Sequence, residues 1–389
     1  MDPRDQEFRR RLAALGFDEV RVTAASGPLP DPLRPWLAAG RHADLHWLER
    51  TAGQRLHPGL VLPGAQSILL LGVNYWSPRL DPAPATPAAP VWARYALYED
   101  YHDTIKPALA AAGRLLETTY GAQPTDYRYY VDTGPILERS WAARAGLGFI
   151  GKNAMLISRR HGNWLLLAAI LTRVELTADA PPAPAPPPRP IGTWCGKCTR
   201  CLAACPTAAF AAPGVLDARR CIAYQTIENR GVIPRELRGG IGRRIFGCDL
   251  CLEVCPWNRF ARAGRRTLLA ARSELTGLSL ADLLTLTPER FAQVFRRTPI
   301  KRLKLPGLLR NACVVAGNSG DPSLLPFLVP LATTHPAALV RAHAVWAIRQ
   351  LGGHAQLAAA RARETDPAVV AEFDAVETNS TLAPPAPGC

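Results

Sequence analysis

At 389 residues and 48% apolar content, the chain is long enough for two or three domains, each burying a sizeable core. Apolar runs such as Ile68–Val73 and Trp164–Leu171 fall far short of the roughly 20 residues that span a bilayer. The opening MDPRDQEFRRRLAALGF mixes acids with its bases, so neither a membrane anchor nor an export signal is expected and the protein reads as cytoplasmic. The formal charge of +14 is uneven: nineteen Lys and Arg face eight Asp and Glu between Asp217 and Arg310. Such a stretch is a polyanion footprint in which arginine, suited to phosphate and base contacts, dominates; solvated helix faces are the plainer alternative.

In chain order, residues 1–178 mix a helix around Gln6–Leu15, a strand at Ser67–Val73, a helix across Tyr101–Thr119, and strands at Tyr127–Val131 and Asn163–Ile170. This mixture predicts one α/β or α+β domain. Residues 179–193 carry seven prolines between Ala180 and Pro190, which exclude helix and sheet interior and read as an extended linker. A cysteine-rich module follows at 194–262, then a basic helical connector at 263–300. Across 301–376, Arg310 and Arg341, and likewise Pro336 and Pro367, recur at an interval of 31 residues. Two helices per unit at this period resemble HEAT-like repeats, too few to stand alone and so expected to pack on the preceding domain. Residues 377–389 read as a disordered tail.

Eight of the ten cysteines lie between Cys195 and Cys255, and none precedes Cys195. Dense clustering in a long chain without an export signal points to metal rather than disulfides. CGKCTRCLAACP sets Cys195, Cys198, Cys201 and Cys205 at C-x2-C-x2-C-x3-C-P, the bacterial ferredoxin run, in which three thiolates converge on one cube and the fourth serves another. CDLCLEVCP adds Cys248, Cys251 and Cys255, but Ile245 stands where that run would begin, and Cys221 completes the eight. Crossed ligation assigns Cys195, Cys198, Cys201 and Cys255 to one [4Fe–4S] cluster. Cys205, Cys248 and Cys251, with Cys221 by elimination, hold the second in a ferredoxin-like two-cluster module. Structural zinc is the alternative, disfavoured by the spacing rhythm. Cys313 reads as core and Cys389 as tail.

Clusters carry electrons one at a time, so bond chemistry belongs in the cysteine-free N-terminal domain. In YYVDTGPILERSWAARAGLGFIGKN, Asp132 ends a strand before a Thr-Gly-Pro turn, with a helix starting near Ile136. Such a carboxylate serves either as a catalytic acid or as a helix cap. Gly146, Gly148 and Gly151 spell G-x-G-x-x-G but follow a helical pattern, so they end a helix and permit close backbone approach rather than bind a dinucleotide. ADLHWLE is similar to part of the D-x-H-x-x-G motif that supplies an axial histidine to some cobalamins, but Glu49 replaces the glycine and leaves His46 an ordinary histidine. Arg55, and Glu99 with Asp100, Tyr101 and His102, are further polar candidates whose plainer reading is solvated surface.

Taken together, VDTGPILERSWAARAGLGFIGKN, the two cysteine runs with Cys221 between them, and KRLKLPGLLRNACVVAGN resemble the epoxyqueuosine reductase family, from the Arg55 region through the C-terminal repeats. The resemblance implies a cobalamin-dependent, two-cluster oxidoreductase that removes the epoxide oxygen of epoxyqueuosine in a tRNA anticodon loop, the final step of queuosine biosynthesis. It makes residues 1–178 the cobalamin-binding catalytic domain and Asp132 the proton donor, with a pKa expected to be raised by desolvation. Arg55, Asp100, Tyr101, His102, Lys152 and Asn153 join Asp132 as expected contacts to a base-off cobalamin that lacks a protein axial histidine. Arg230, Lys301, Arg302, Lys304 and Arg310 are expected to hold the tRNA backbone with steep salt dependence, while the N-terminal pocket reads the splayed base. A monomer fed by an unidentified reductant or reductase completes the expectation. The competing readings are a cobalamin-dependent reductive dehalogenase-like enzyme, a non-catalytic iron–sulfur electron carrier, and a binding scaffold with structural clusters. The missing export signal argues against the first and the large cysteine-free domain against the second.

Overall fold

The computed structural model describes residues 2–27, 29–77, 89–179 and 190–375. Most of the proline-rich linker at 179–193, all of the tail at 377–389 and Cys389 lie outside the described residues.

Four strands, β1 (Glu19–Ala24), β2 (Ser67–Asn74), β3 (Tyr127–Val131) and β4 (Leu165–Thr172), form an antiparallel sheet in the order β1-β2-β4-β3. The run SILLLGVN is buried along its whole length, which suits β2 to the sheet centre. Alternation sends its side chains to two cores: Leu69, Leu71 and Val73 to one, Ile68 and Leu70 to the other. β4 divides likewise, with Ala168 and Ile170 on the first face and Ala169 and Leu171 on the second. On the first face lie Phe8 and Leu12 of α1 (Pro3–Ala14) and Ile105, Leu109 and Leu116 of α2 (Tyr101–Tyr120). Trp141 of α3 (Glu138–Arg144) fills the second. β1 is absent from the sequence expectation because its polar residues blur the pattern: Glu19 is buried, held by Arg160 and His161.

The sequence punctuation acts locally. Asp100 caps α2 by accepting the His102 N–H, and Gly121, at φ +73°, ends that helix in the left-handed conformation that glycine adopts freely. Gly146 turns at φ +76° after α3, and a Cβ at Gly148 would meet the Ile157 carbonyl oxygen at 2.3 Å, so these glycines end a helix and admit a neighbouring segment.

The cysteine module is knitted to its neighbours: Arg244–Phe246 pairs in parallel with Val91–Trp92. The connector holds two short helices, Leu280–Leu284 and Pro288–Val294. Beyond it run α4 (Lys304–Ser319), α5 (Leu325–Thr333), α6 (Ala338–Gln350) and α7 (Pro367–Asp374). α6 packs on α4, α5 and α7. Asp366 caps α7 with Pro367 at its first position. Glu372 of α7 accepts from fully buried Arg238 at 2.7 Å and from Arg235 at 2.6 Å, tying the last helix to the cysteine module. One apolar cluster thus runs from Phe8 through Ile245 to Val369. Among the described residues, no helix is long and apolar enough to cross a membrane.

Candidate active site

Asp132 sits just past β3 at φ +59°, a conformation that costs a non-glycine residue about 1–3 kcal/mol and that clusters at functional sites. The turn is tight: the Thr133 N–H donates to the Val131 carbonyl at 2.7 Å, and a Cβ at Gly134 would lie 2.2 Å from the Tyr130 ring. The Tyr101 hydroxyl donates to Asp132 Oδ2 at 2.7 Å, and His102 Nε2 stands 3.6 Å from the same oxygen. Behind it, His102 Nδ1 lies 2.7 Å from Asp100, and Asp100 in turn lies 3.0 Å from Lys301 Nζ. Both Tyr101 and His102 belong to the first turn of α2, which the Asp100 cap fixes, so one helix start delivers three members of the network.

Desolvation acts against the charge on His102, but hydrogen bonds and attraction from Asp100 and Asp132 outweigh it and raise the imidazole to about 9, leaving it cationic at neutral pH. Asp100 drops to about 2: desolvation opposes this, and His102 and Lys301 overcome it. The elevated pKa expected for Asp132 is overturned. Desolvation pushes it up, but His102, the Tyr101 hydroxyl and the charge of Arg302 together hold it below the ordinary carboxylate value. Its side chain is 60% accessible, faced on one side by Tyr101 and His102 and open to solvent on the other, which makes the site a recess with an accessible mouth.

A carboxyl not singled out by sequence takes the opposite course. Glu138 opens α3, and its buried Oε1 has no hydrogen-bond partner. Desolvation and then the charge of Asp132 raise it to about 7, against the pull of Arg55. Buried Arg55 donates to Thr51 Oγ1 at 2.9 Å and to the Ile136 carbonyl at 3.3 Å, bracing the turn with its charge toward Glu138 and Asp132. The signal lay in DTGPILE, six residues beyond Asp132, where Glu138 reads as an ordinary first-turn acid.

The eight clustered thiols fall into two groups. Cys195, Cys198, Cys201 and Cys255 line one cavity together with Lys152, Asn153 and Trp257. Desolvation and three neighbouring thiols push Cys201 up to about 11. Cys251 has Cys248, Cys221 and Cys205 as neighbours and is likewise raised by burial. Lys152 Nζ donates to the carbonyls of Gly196 and Cys198 at 2.8 and 3.0 Å, and Asn153 donates to the Cys251 carbonyl at 3.2 Å, so both side chains brace cysteine loops. Cys313 is fully buried in α4.

The basic residues separate by accessibility. Arg302 pairs with Glu228 at 3.2 Å and its charge reaches Asp132, while Arg230 donates to the Arg302 carbonyl at 2.9 Å. Lys301 and Lys304 are exposed, with Lys301 paired to Asp100 and Asp103. The expected tRNA contact at Arg310 is contradicted: the side chain is 0% accessible, and its guanidinium donates to the carbonyls of Asn229, Gly231 and Gln225. His46 is exposed and sits 3.4 Å from Glu49.

A model for a 4Fe-4S double cluster binding domain matches residues 194–258, and the model for epoxyqueuosine reductase QueG, DUF1730, matches residues 55–133. The epoxyqueuosine reductase of Pseudomonas aeruginosa is 37% identical over 87% of this chain and 92% of its own length. That of Escherichia coli is 34% identical over 89% of each. The crystal structure of an epoxyqueuosine reductase with an epoxyqueuosine-modified tRNA-Tyr stem loop superposes with a TM-score of 0.82 at 29% identity, covering 95% of this chain and 96% of that one. The Bacillus subtilis enzyme, with its catalytic aspartate loop swung out of the active site, gives 0.80 at 28% identity over 95% and 96%. With the two thiol groups and the Asp132 recess on one continuous scaffold, this chain belongs to the epoxyqueuosine reductase family.

Proposed function

We propose that the chain removes the epoxide oxygen of epoxyqueuosine in a tRNA anticodon loop, the final step of queuosine biosynthesis. The reaction takes up two electrons and two protons, and the oxygen leaves as water. The observation that carries this reading is Asp132, held in a left-handed turn against Tyr101 and His102 at an open recess, on a chain that also gathers eight thiols.

The thiol groups fit two [4Fe–4S] clusters, one on Cys195, Cys198, Cys201 and Cys255 and the other on Cys205, Cys221, Cys248 and Cys251. Cobalamin also fits. Glu138 Oε1, buried without a hydrogen-bond partner, stands close enough to Asp132 to feel its charge, and a large polar ligand seated there would satisfy it. Arg55, Asp100, Tyr101 and His102 are the side chains that would hold it. Lys152 and Asn153 support the neighbouring cysteine loops. His102 lies between the carboxylates of Asp100 and Asp132, and His46 lies against Glu49. When bound, cobalamin supplies low-valent cobalt chemistry toward the epoxide-bearing ring.

The chain's own residues manage the proton. Asp132 is ionised in the open recess, and a substrate covering its accessible face strips away water and raises its proton affinity. His102, cationic at 3.6 Å, is the proton source behind it, and Tyr101 fixes the orientation of the carboxylate. Arg230, Lys301, Arg302 and Lys304 hold the RNA backbone beside the recess. In this reading residues 1–178 form the cobalamin-binding catalytic domain, 194–262 the cluster module and 301–376 HEAT-like repeats. The protein works as a cytoplasmic monomer.

The test is a single-turnover reaction of anaerobic, cluster- and cobalamin-loaded protein with epoxyqueuosine-bearing tRNA, read by nucleoside mass spectrometry. The parent should remove one oxygen and Asp132→Asn should not. No conversion by verified holoprotein returns the dehalogenase-like and electron-carrier readings.

A further inference from the structure

The two thiol groups differ in their distance from the acid. Cys251 neighbours Tyr75 and Asp249, and Asp249 in turn faces Tyr95. The Tyr95 ring meets Tyr101 at 5.9 Å, one residue from His102. The Cys205, Cys221, Cys248 and Cys251 group is therefore the inner one, with Cys248 and Cys251 packed against the main apolar core. The outer group sits on a loop whose residues Gly196, Lys197 and Thr199 are exposed.

The surface over this outer group is unusual. Trp194 and Phe260 are 41% and 38% accessible, large aromatics left open at one place. Phe149 links Trp194 to Trp257 at 6.3 and 5.1 Å, and Trp257 meets Phe260 at 5.6 Å, making one continuous aromatic face beside the cavity. Cations surround it: Arg159 lies 4.4 Å over Trp194, Arg259 lies 4.6 Å over Phe260, and Lys197 and Arg262 are exposed. Among the described residues, none of these four cations is paired with a carboxylate. An aromatic centre with an unneutralised rim has the anatomy of a transient, electrostatically steered interface.

We propose that this face docks an acidic one-electron carrier protein, which delivers electrons at the Cys195–Cys198–Cys201 loop. Each encounter oxidises the carrier by one electron and reduces the cysteine-held centre by one, and two encounters match the two-electron removal of one epoxide oxygen. RNA shares the taste for arginine and aromatics. A polynucleotide lying here, however, would cover the outer thiols, where electrons must enter, while Arg302 and Lys301 already furnish cations at the Asp132 recess. The inference rests on the two-cluster reading above, so its primary readout is binding rather than turnover.

The experiment titrates full-length, cluster-loaded protein with oxidised flavodoxin, an acidic carrier, and separately with an anticodon stem loop, at low and raised salt. The parent should bind flavodoxin in a salt-sensitive manner. Lys197→Glu with Arg259→Glu should weaken that binding about tenfold. The same variant should keep its visible cluster absorption, its bleaching by dithionite and its stem-loop affinity, with Arg159→Glu as an independent second variant. Failure of the parent to bind flavodoxin, or equal binding by the variants, overturns the proposal. Loss of stem-loop affinity with flavodoxin binding unchanged assigns the face to RNA instead. Missing cluster absorption in the parent reports failure of the two-cluster reading separately.

Discussion

Replacing Asp132 by asparagine removes one of the two carboxylates that hold the proton on His102. The imidazole is raised from its ordinary 6.5 to about 9, and at about 1.4 kcal/mol per pKa unit the carboxylates, net of the opposing desolvation, favour its cationic form by roughly 3 kcal/mol. Asp100, at 2.7 Å, contributes the larger share and Asp132, at 3.6 Å, the smaller. Asp132→Asn should therefore lower the His102 midpoint by about one pH unit, and Asp100→Asn by more. Histidine-selective isotope labelling and a pH titration by NMR measure this directly, with His102→Gln identifying the resonance among the eight histidines. Because the folded pKa lies above the unfolded one, the stabilisation is complete below about 6.5 and is lost as pH rises through about 9. Denaturant unfolding should show that loss in the parent and not in His102→Gln. A parent His102 titrating near 6.5, or a midpoint indifferent to Asp132, would refute the electrostatic description of the recess.

Glu138→Gln keeps the shape of a side chain that titrates at about 7. If its neutral form supports turnover, the parent rate falls as pH rises through about 7 and the variant rate does not, which a pH series of single turnovers would read. Arg310→Met leaves the carbonyls of Gln225, Asn229 and Gly231 without their buried donor, and should cost about 3 kcal/mol or more in thermal or denaturant unfolding. Stem-loop affinity of the folded variant should equal that of the parent; a selective loss of RNA binding would restore Arg310 to the interface. Cys221→Ser should lower iron from roughly eight to roughly four atoms per chain by elemental analysis, leaving one cluster intact. Unchanged iron content would remove Cys221 from the ligand set.

Much of the architecture was legible because its signals are local. Ser67–Asn74 is a continuous apolar run and became the central strand; Tyr101–Tyr120 carries its own cap and its own terminal glycine. The cysteines announce themselves by spacing alone. β1 was hidden because the partners of Glu19 lie near residue 160, far along the chain. The same limit explains the site. Sequence could nominate Asp132 but could not foresee that a helix start brings His102 behind it and reverses the sign of its pKa shift. Nor could it separate Arg310 from Arg302: eight residues apart in one basic stretch, the first is sealed among carbonyls and the second stands near the recess. Charge counts register composition, whereas burial depends on which face of α4 meets the cysteine module.

The unbroken apolar core from Phe8 to Val369 bears on how the protein comes into being. During synthesis α1 and β2 emerge long before Ile245 and the last helix exist to cover them, so the core closes late and through non-local contacts. The clustered thiols lie between those two ends, on loops that the closed core must hold in place. A bound group that favours the closed form adds its binding free energy to that of folding. The supply of what the thiols bind thereby governs how much of the chain survives as protein, and a cell short of that supply would lose abundance as well as activity.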